Sequence, residues 1–143
     1  MCYMLYLSTD CAEDLAARST ALLRFEKPDP QLPAPAALKN GHVWFVGSKS
    51  GCSCTLRHVC RGNTDFDFQE PQDWSPEEPD AIAATKRLYA VLAEIVRGGG
   101  QVDLADAWIS EGIQPLQPIE VSLSDVSADR FRLFEDHLFT LRP

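Results

Sequence analysis

The sequence predicts a single α+β domain over residues 1–143, in which a mixed or antiparallel sheet packs against one long helix and a short N-terminal helix. Three observations lead to this prediction. Several short runs are rich in β-branched, aromatic or alternating apolar residues, which is typical of strands. One segment, about 76–97, repeats apolar residues every three or four positions, as an amphipathic helix does. Strands and helices alternate too irregularly for a doubly wound parallel sheet.

The N-terminal part of the chain predicts a strand, the short helix and a second strand. The nearly continuous apolar run Cys2–Ser8 is typical of a central strand with both faces covered. Asp10 and Glu13 have the spacing of a capping box, which predicts a short helix after this strand. Residues 20–25 then resemble a strand. The proline-rich residues 26–38 predict a surface loop, because proline neither donates to a sheet nor fits a helix interior.

The middle of the chain predicts a β-hairpin followed by an acidic loop. His42–Ser48 has the composition of a strand, the sequence SKSG is typical of a turn, and residues 52–60 predict the returning strand. Residues 63–80 predict a second surface loop, because the part from 65 to 80 carries seven acidic residues and no basic one.

The C-terminal half predicts the long helix and further strands. Ser75 as the cap, Pro76 in the first turn and Glu78 in a capping box predict where the helix begins. Gly98–Gly100 end it, after Arg97 in the last turn. Strands are predicted at 101–110, 119–123, 131–134 and 137–141, the last two as a hairpin through a tight turn.

The charge and the apolar runs exclude several classes of partner. The net charge is −8; residues 1–62 carry +2 and residues 63–143 carry −10. An acidic chain repels phosphate backbones, so nucleic acid is not an expected partner. No apolar run approaches the roughly 20 residues of a membrane span. The N-terminal run also lacks the basic start of an export signal. We therefore expect no membrane association and a cytoplasmic location.

The cysteines are the residues with the most distinctive chemistry. There are five, an odd number, which without an export signal argues against a disulfide framework. Residues two apart on a strand share a face, so Cys52, Cys54, His58 and Cys60 would point the same way. Thiolates and imidazole are the ligands of zinc sites. Simple burial of the thiols and a reactive thiol are the alternatives.

The glycines beside these cysteines form a separate pattern. Gly47 and Gly51 bracket Ser48, Lys49 and Ser50. A phosphate-binding loop would continue into a helix, and a nucleophile elbow would have serine at its centre, so neither motif is present. The pattern predicts a tight turn. The backbone N–H groups of Gly47, Ser48, Lys49 and Gly51, with the Lys49 ammonium, could hold a small anion there.

Two stretches resemble a group of small uncharacterised bacterial proteins. These stretches are MCYMLYLSTD at the N-terminus and HVWFVGSKSGCSC further on. The group shares a Met-Cys strand that ends in a small residue and Asp, and a Gly-Ser-x-x-Gly-Cys-x-Cys segment. The resemblance covers most of the chain, although Thr55 stands where relatives have glycine. It selects these positions: Cys2, Gly47, Ser48, Gly51, Cys52, Cys54 and, more weakly, Trp108. It implies a site but no reaction.

The leading prediction is a binding or regulatory module with a thiol cluster. If the first strand lies beside the hairpin, Cys2 could meet Cys52 and Cys54. Three sulfurs with an open fourth position suit zinc or another thiophilic metal, and His58 is the candidate fourth ligand.

Two other functions remain open. The chain could be a thiol-dependent enzyme in which Cys52 or Cys54 is the nucleophile, with Lys49 and Arg57 lowering its pKa. Alternatively, the acidic loop with Trp74 could bind a basic protein partner, and the cysteines would then serve packing only.

Overall fold

The computed structural model of the protein describes residues 2–60, 68, 76–109 and 115–143. These residues form a mixed six-stranded sheet, a separate two-stranded sheet and one long α-helix, as the predicted α+β class requires. The strands are β1 (Cys2–Thr9), β2 (Leu23–Glu26), β3 (His42–Ser48), β4 (His58–Val59), β5 (Val102–Ile109), β6 (Gln117–Ser122), β7 (Leu133–Phe134) and β8 (His137–Arg142), and the helix is α1 (Pro79–Arg97).

The large sheet has the strand order β2-β3-β1-β5-β8-β6. All its neighbouring strands are antiparallel except β6 and β8, which are parallel. As predicted, β1 is a central strand: Leu5 lies opposite Val46 of β3 on one side and Asp106 of β5 on the other. One face of the sheet packs on α1, where Leu88 and Leu92 are fully buried.

Residues 27–41 contain no strand or helix, whereas Glu26, the first residue of the predicted loop, belongs to β2. The Tyr6 hydroxyl donates a hydrogen bond to the Leu32 carbonyl at 3.0 Å. The Asn40 amide donates one to the Ser8 hydroxyl at 3.2 Å. These bonds tie the loop to β1. The predicted acidic loop over 63–80 lies mostly outside the described residues, including Trp74.

The predicted short N-terminal helix is absent, and a single 3-10 turn, Leu15–Arg18, takes its place. Asp14 caps this turn by accepting a hydrogen bond from the Ala16 amide. Asp10, the predicted cap, instead accepts a hydrogen bond from the Gln101 amide at 2.8 Å. Leu15 alone in the turn is buried, so there is too little apolar burial to offset the cost of nucleating a helix.

The long helix has the predicted end but begins three residues later than predicted. Pro79 occupies the first turn and Glu78 is the N-cap, without a side-chain capping bond. The proposed capping box therefore does not form, and Ser75 lies outside the described residues. Proline is favoured at the first helical position because its fixed φ suits the helix and its missing N–H would be unpaired there.

Neither predicted hairpin forms. After β3 the chain does not return as a long strand; only β4 is extended, and it pairs in parallel with β7. The pairing of β7 with β4 also explains why β7 does not pair with β8. The backbone of β7 is bonded to the β4 segment instead, and the Leu133 amide donates to the Arg57 carbonyl at 2.8 Å. Asp136, with φ of 57°, turns the chain between β7 and β8.

Arg57, directly before β4, is anchored to the start of α1. Its guanidinium donates two hydrogen bonds to the Glu77 carboxylate, at 2.7 and 2.9 Å, and one to the Asp129 carbonyl. Its backbone amide donates to the Thr85 hydroxyl on the helix. The residue is 1% exposed, so this pairing satisfies a buried charge.

No helix in the described part of the chain combines the length and the apolar character needed to cross a membrane.

Candidate metal centre

Three cysteine side chains meet at the end of the sheet where β1 begins. The sulfur atoms of Cys2, Cys52 and Cys54 all lie within 4.8 Å of one another. Cys2 is the first residue of β1, opposite Ile109 of β5, whereas the other two lie in the turn that follows β3. Cys54 is exposed and the other two are half-buried. The structure therefore brings together the three thiols that the sequence suggested.

The glycine-containing segment before these cysteines is a tight turn. The Gly51 amide donates to the Ser48 carbonyl at 3.0 Å, and Gly51 has φ of 90°, a conformation that favours glycine. The Cys52 carbonyl accepts hydrogen bonds from both the amide and the hydroxyl of Ser48, at 2.8 and 2.7 Å. Gly47 packs closely on its neighbours, because a Cβ there would lie 3.2 Å from the Phe45 ring and 3.4 Å from the Gly51 carbonyl oxygen.

Lys49, at the tip of this turn, is held by acidic side chains near the start of α1. Its ammonium contacts Glu78 at 2.5 Å and Asp80 at 2.7 Å. Both carboxylates compete with any anion for this charge. The residues predicted to bind an anion are thus used to build the turn and to attach it to the helix.

Ser53 fixes the backbone between the two turn cysteines. Its amide donates to the Tyr3 carbonyl at 3.1 Å, and its carbonyl accepts from His58 Nε2 at 2.6 Å. Its hydroxyl accepts from the Leu5 amide at 2.8 Å and donates to the Val46 carbonyl at 2.6 Å. Ser53 is fully buried. Four hydrogen bonds therefore set where Cys52 and Cys54 lie relative to Cys2.

His58 does not join the three sulfurs, because both of its ring nitrogens have other partners. Since the Ser53 carbonyl can only accept, Nε2 carries a proton. Nδ1 lies 2.8 Å from Asp106 Oδ2, so a second proton is shared between these two groups. The Tyr3 ring stacks on the imidazole with a centroid distance of 3.8 Å.

The pKa values of His58 and Asp106 are both shifted toward the protonated form. Burial lowers the pKa of His58, but the Asp106 carboxylate and the hydrogen bonds raise it above its ordinary value. Burial raises the pKa of Asp106, which is fully buried and whose Oδ1 has no partner among the described residues. Both directions describe a pair that is more easily protonated than its separate members.

The two turn cysteines have opposite acidities. Burial raises the pKa of Cys52, but hydrogen bonds from Ser50 and from Cys54 outweigh it and lower the pKa to about 7. Burial and the neighbouring Cys52 sulfur raise the pKa of Cys54 to about 12. Cys52 is thus the first of the two to ionise. The lowering comes from neighbouring hydroxyl and thiol groups, whereas the two cations predicted for this role are each paired with carboxylates.

The remaining cysteines lie apart from the cluster. The Cys60 sulfur is 3.4 Å from the Tyr3 hydroxyl, and Cys11 packs against the hydrophobic core. Tyr3 contacts both Cys60 and the thiol cluster, because its amide also donates to the Cys54 sulfur at 3.4 Å.

The spacing of the three sulfurs is compatible with metal coordination. Zinc–sulfur bonds of about 2.3 Å in a tetrahedron place the sulfurs about 3.8 Å apart. All three sulfur pairs are within 4.8 Å, so a shift of roughly 1 Å or less would complete the set. Small side-chain rotations supply such a shift.

Three residues of the site were not identified from the sequence. Asp106 carried a weak signal, since it is one of two acids, with Asp103, among the apolar residues of β5. Ser53 carried none, because serine is an ordinary residue of turns. Tyr3 resembled the other apolar residues of β1.

No family model, curated protein or solved structure matches the chain.

Replacing Ser53 tests whether this residue holds the site together. Ser53→Ala removes one bond from the Leu5 amide and one to the Val46 carbonyl, and each buried unpaired group costs about 1–3 kcal/mol. We expect urea denaturation to show a loss of about 2–4 kcal/mol in unfolding free energy. Ser50→Ala, at an exposed position of the same turn, should change it by less than about 0.5 kcal/mol. Equal effects of both substitutions would contradict the assignment.

The shared proton of His58 and Asp106 predicts a pH dependence. The raised pKa of His58 means that its contribution to stability is complete below about pH 6.5 and is lost as the pH rises through the folded pKa. An Asp106→Asn variant cannot share this proton. The wild-type advantage in unfolding free energy should therefore shrink with rising pH, by at most about 1.4 kcal/mol per pH unit.

Comparing the two proteins by urea denaturation at each pH cancels the titration of Cys52 and Cys54, which both contain. An advantage that stays constant or grows above about pH 6.5 would show that the pair holds no extra proton.

Proposed function

We propose that the protein is a binding or regulatory module that binds zinc or another thiophilic metal through Cys2, Cys52 and Cys54. The observation that carries this proposal is that the three sulfurs lie within 4.8 Å of one another. The ligands come from two separate parts of the chain, so the metal would join the start of β1 to the turn after β3. Soft thiolate ligands favour zinc and monovalent copper over magnesium or calcium.

The hydrogen bonds of the Cys52 and Cys54 sulfurs favour the charged form that a metal requires. A thiol must lose its proton to coordinate a metal. The Tyr3 amide donates to Cys54, and the Ser50 hydroxyl lies 3.4 Å from the Cys52 sulfur. Hydrogen bonds of this kind orient the ligands and stabilise their negative charge, as outer-shell partners do in known metal sites.

The fourth coordination position is open to an external ligand. Among the described residues, no other cysteine, histidine or carboxylate belongs to the group. A closed structural zinc site uses four protein ligands, whereas three ligands leave room for water or an exchangeable group. Binding with exchange, or regulation by metal, therefore suits this site better than a purely structural role.

Free thiols fit a reducing compartment, so the cytoplasmic location is part of the proposal. Membership of the bacterial group with the Gly-Cys-x-Cys segment remains a separate prediction.

Metal analysis tests the proposal directly. Protein purified without chelator should contain about one zinc per chain, because three thiolates bind zinc tightly at neutral pH. Cys54→Ser and Cys2→Ser should each weaken binding by more than the roughly 10- to 100-fold expected for loss of an outer-shell partner.

Cys11→Ser and Cys60→Ser are the matched controls and should retain the metal. Cobalt-substituted protein should show thiolate-to-metal charge-transfer absorption. Well under one equivalent of metal in the wild-type protein, after reconstitution under reducing conditions, would refute the proposal.

A second candidate function is thiol-dependent catalysis with Cys52 as the nucleophile. The observation in its favour is the pKa of Cys52, which is lowered to about 7. A thiolate at neutral pH is the nucleophilic form. His58 would not serve as its general base, because both ring nitrogens are already hydrogen-bonded.

Alkylation resolved by peptide distinguishes this candidate. In metal-free protein at about pH 7, Cys52 should react several-fold faster than Cys60, because the lowered pKa of Cys52 makes much of it thiolate at this pH. Ser50→Ala should slow Cys52 and leave Cys60 unchanged, since it removes one of the stabilising hydrogen bonds. Uniform rates at the two cysteines would rule out an activated Cys52.

A further inference from the structure

The thiol cluster also has the arrangement of an oxidation site. Three reduced sulfurs within 4.8 Å allow any one of them, once oxidised, to meet a second thiol. The cluster is accessible to small molecules, since Cys54 is exposed and Cys2 and Cys52 are half-buried. Solvent-accessible cysteines beside a second cysteine are the ones that oxidise reversibly to disulfides.

The backbone around Ser53 favours one pairing over the others. A disulfide between Cys52 and Cys54 would require the three-residue segment to tighten around Ser53. That residue is buried and held by four hydrogen bonds. Cys2, in contrast, approaches the turn from another strand, at the end of β1 that lies beyond its pairing with β3. A bond from Cys2 leaves the hydrogen bonds of Ser53 intact.

We propose that a hydroperoxide oxidises this cluster to a disulfide between Cys2 and one of the two turn cysteines. In the first step a thiolate sulfur attacks the peroxide: an S–O bond forms, the O–O bond breaks, and hydroxide or an alkoxide leaves and takes up a proton from the solvent. In the second step another thiol attacks the sulfenic sulfur: the S–S bond forms, the S–O bond breaks, and water leaves with the thiol proton. The two cysteines lose two electrons and the peroxide gains them.

Disulfide formation would convert the metal site into a form that cannot bind metal. This consequence rests on the proposed function, because the same sulfurs would be the metal ligands. Two of the three thiolates become neutral disulfide sulfurs, and a single remaining thiolate does not hold zinc. Peroxide would therefore release the metal, and a thiol reductant would restore the site.

The test uses reduced, metal-free protein treated with hydrogen peroxide and analysed by peptide mapping under non-reducing conditions. We expect the intact mass to fall by two hydrogen atoms and the crosslink to join the Cys2 peptide to the peptide of Cys52 and Cys54. Cys2→Ser and Cys2→Ala should not form this crosslink, whereas Cys11→Ser and Cys60→Ser should. A crosslink within the turn, one through Cys11 or Cys60, or only intermolecular disulfides would overturn the proposal.

A second arm separates the disulfide from the metal site. Zinc-loaded protein is treated with peroxide, and free zinc is measured with a dye together with the crosslink. Release of one zinc per disulfide is expected, and retention of zinc by the crosslinked chain would overturn the regulatory role. Failure of the reduced protein to take up zinc would refute the proposed metal-binding function but not the disulfide. The first experiment tests the disulfide separately, because it uses metal-free protein.

Discussion

The site depends on the hydrogen bonds of one buried serine. The pairing of β1 with β3 ends at Leu5 and Val46, so the backbone groups of β1 before that point need other partners. Ser53 supplies them: its amide bonds to the Tyr3 carbonyl and its hydroxyl accepts from the Leu5 amide. The chain after β3 is thereby held against β1 instead of returning beside β3. The two cysteines that flank Ser53 come to lie beside Cys2 as a direct consequence.

A second set of contacts joins this turn to the core. The Ser53 carbonyl is held by His58, which shares a proton with the buried Asp106 of β5. His58 in turn follows Arg57, whose amide and guanidinium are bonded to Thr85 and Glu77 at the start of α1. The three sulfurs thus lie beside a buried polar network that links the helix, two strands and the turn. Such a network fixes the positions of metal ligands more firmly than a surface loop would.

Local patterns were sufficient for part of this structure. The apolar composition of β1 and β3 and the stripe of α1 are local signals, and these three elements lie where the sequence predicts them, apart from the start of the helix. The returning strand at 52–60 was wrong because the partner of Ser53 is β1, fifty residues away, and nothing in the turn sequence specifies that partner. The sequence groups His58 with the sulfurs because its actual partner, Asp106, lies 48 residues away in the chain and no local pattern indicates it. The spacing of Cys52 and Cys54 indicates only that the two thiols lie near each other, and Cys2 was added to them by the resemblance to the bacterial group.

Metal binding and oxidation are competing reactions of the same three sulfurs. Without a metal, hydrogen bonds lower the pKa of Cys52 to about 7, whereas burial and the adjacent Cys52 sulfur raise the pKa of Cys54 to about 12, so Cys52 ionises first. Ionisation of a second thiol would add a second negative charge close to the first. A divalent cation removes this repulsion by neutralising the thiolates, and a disulfide removes it by eliminating two of them. A metal-free cluster with more than one thiolate is therefore less favourable electrostatically than the metal-bound or the disulfide form. Ser53 keeps the reduced sulfurs close together when no metal is bound. This proximity favours both metal binding and disulfide formation, so the outcome depends on whether metal or peroxide arrives first.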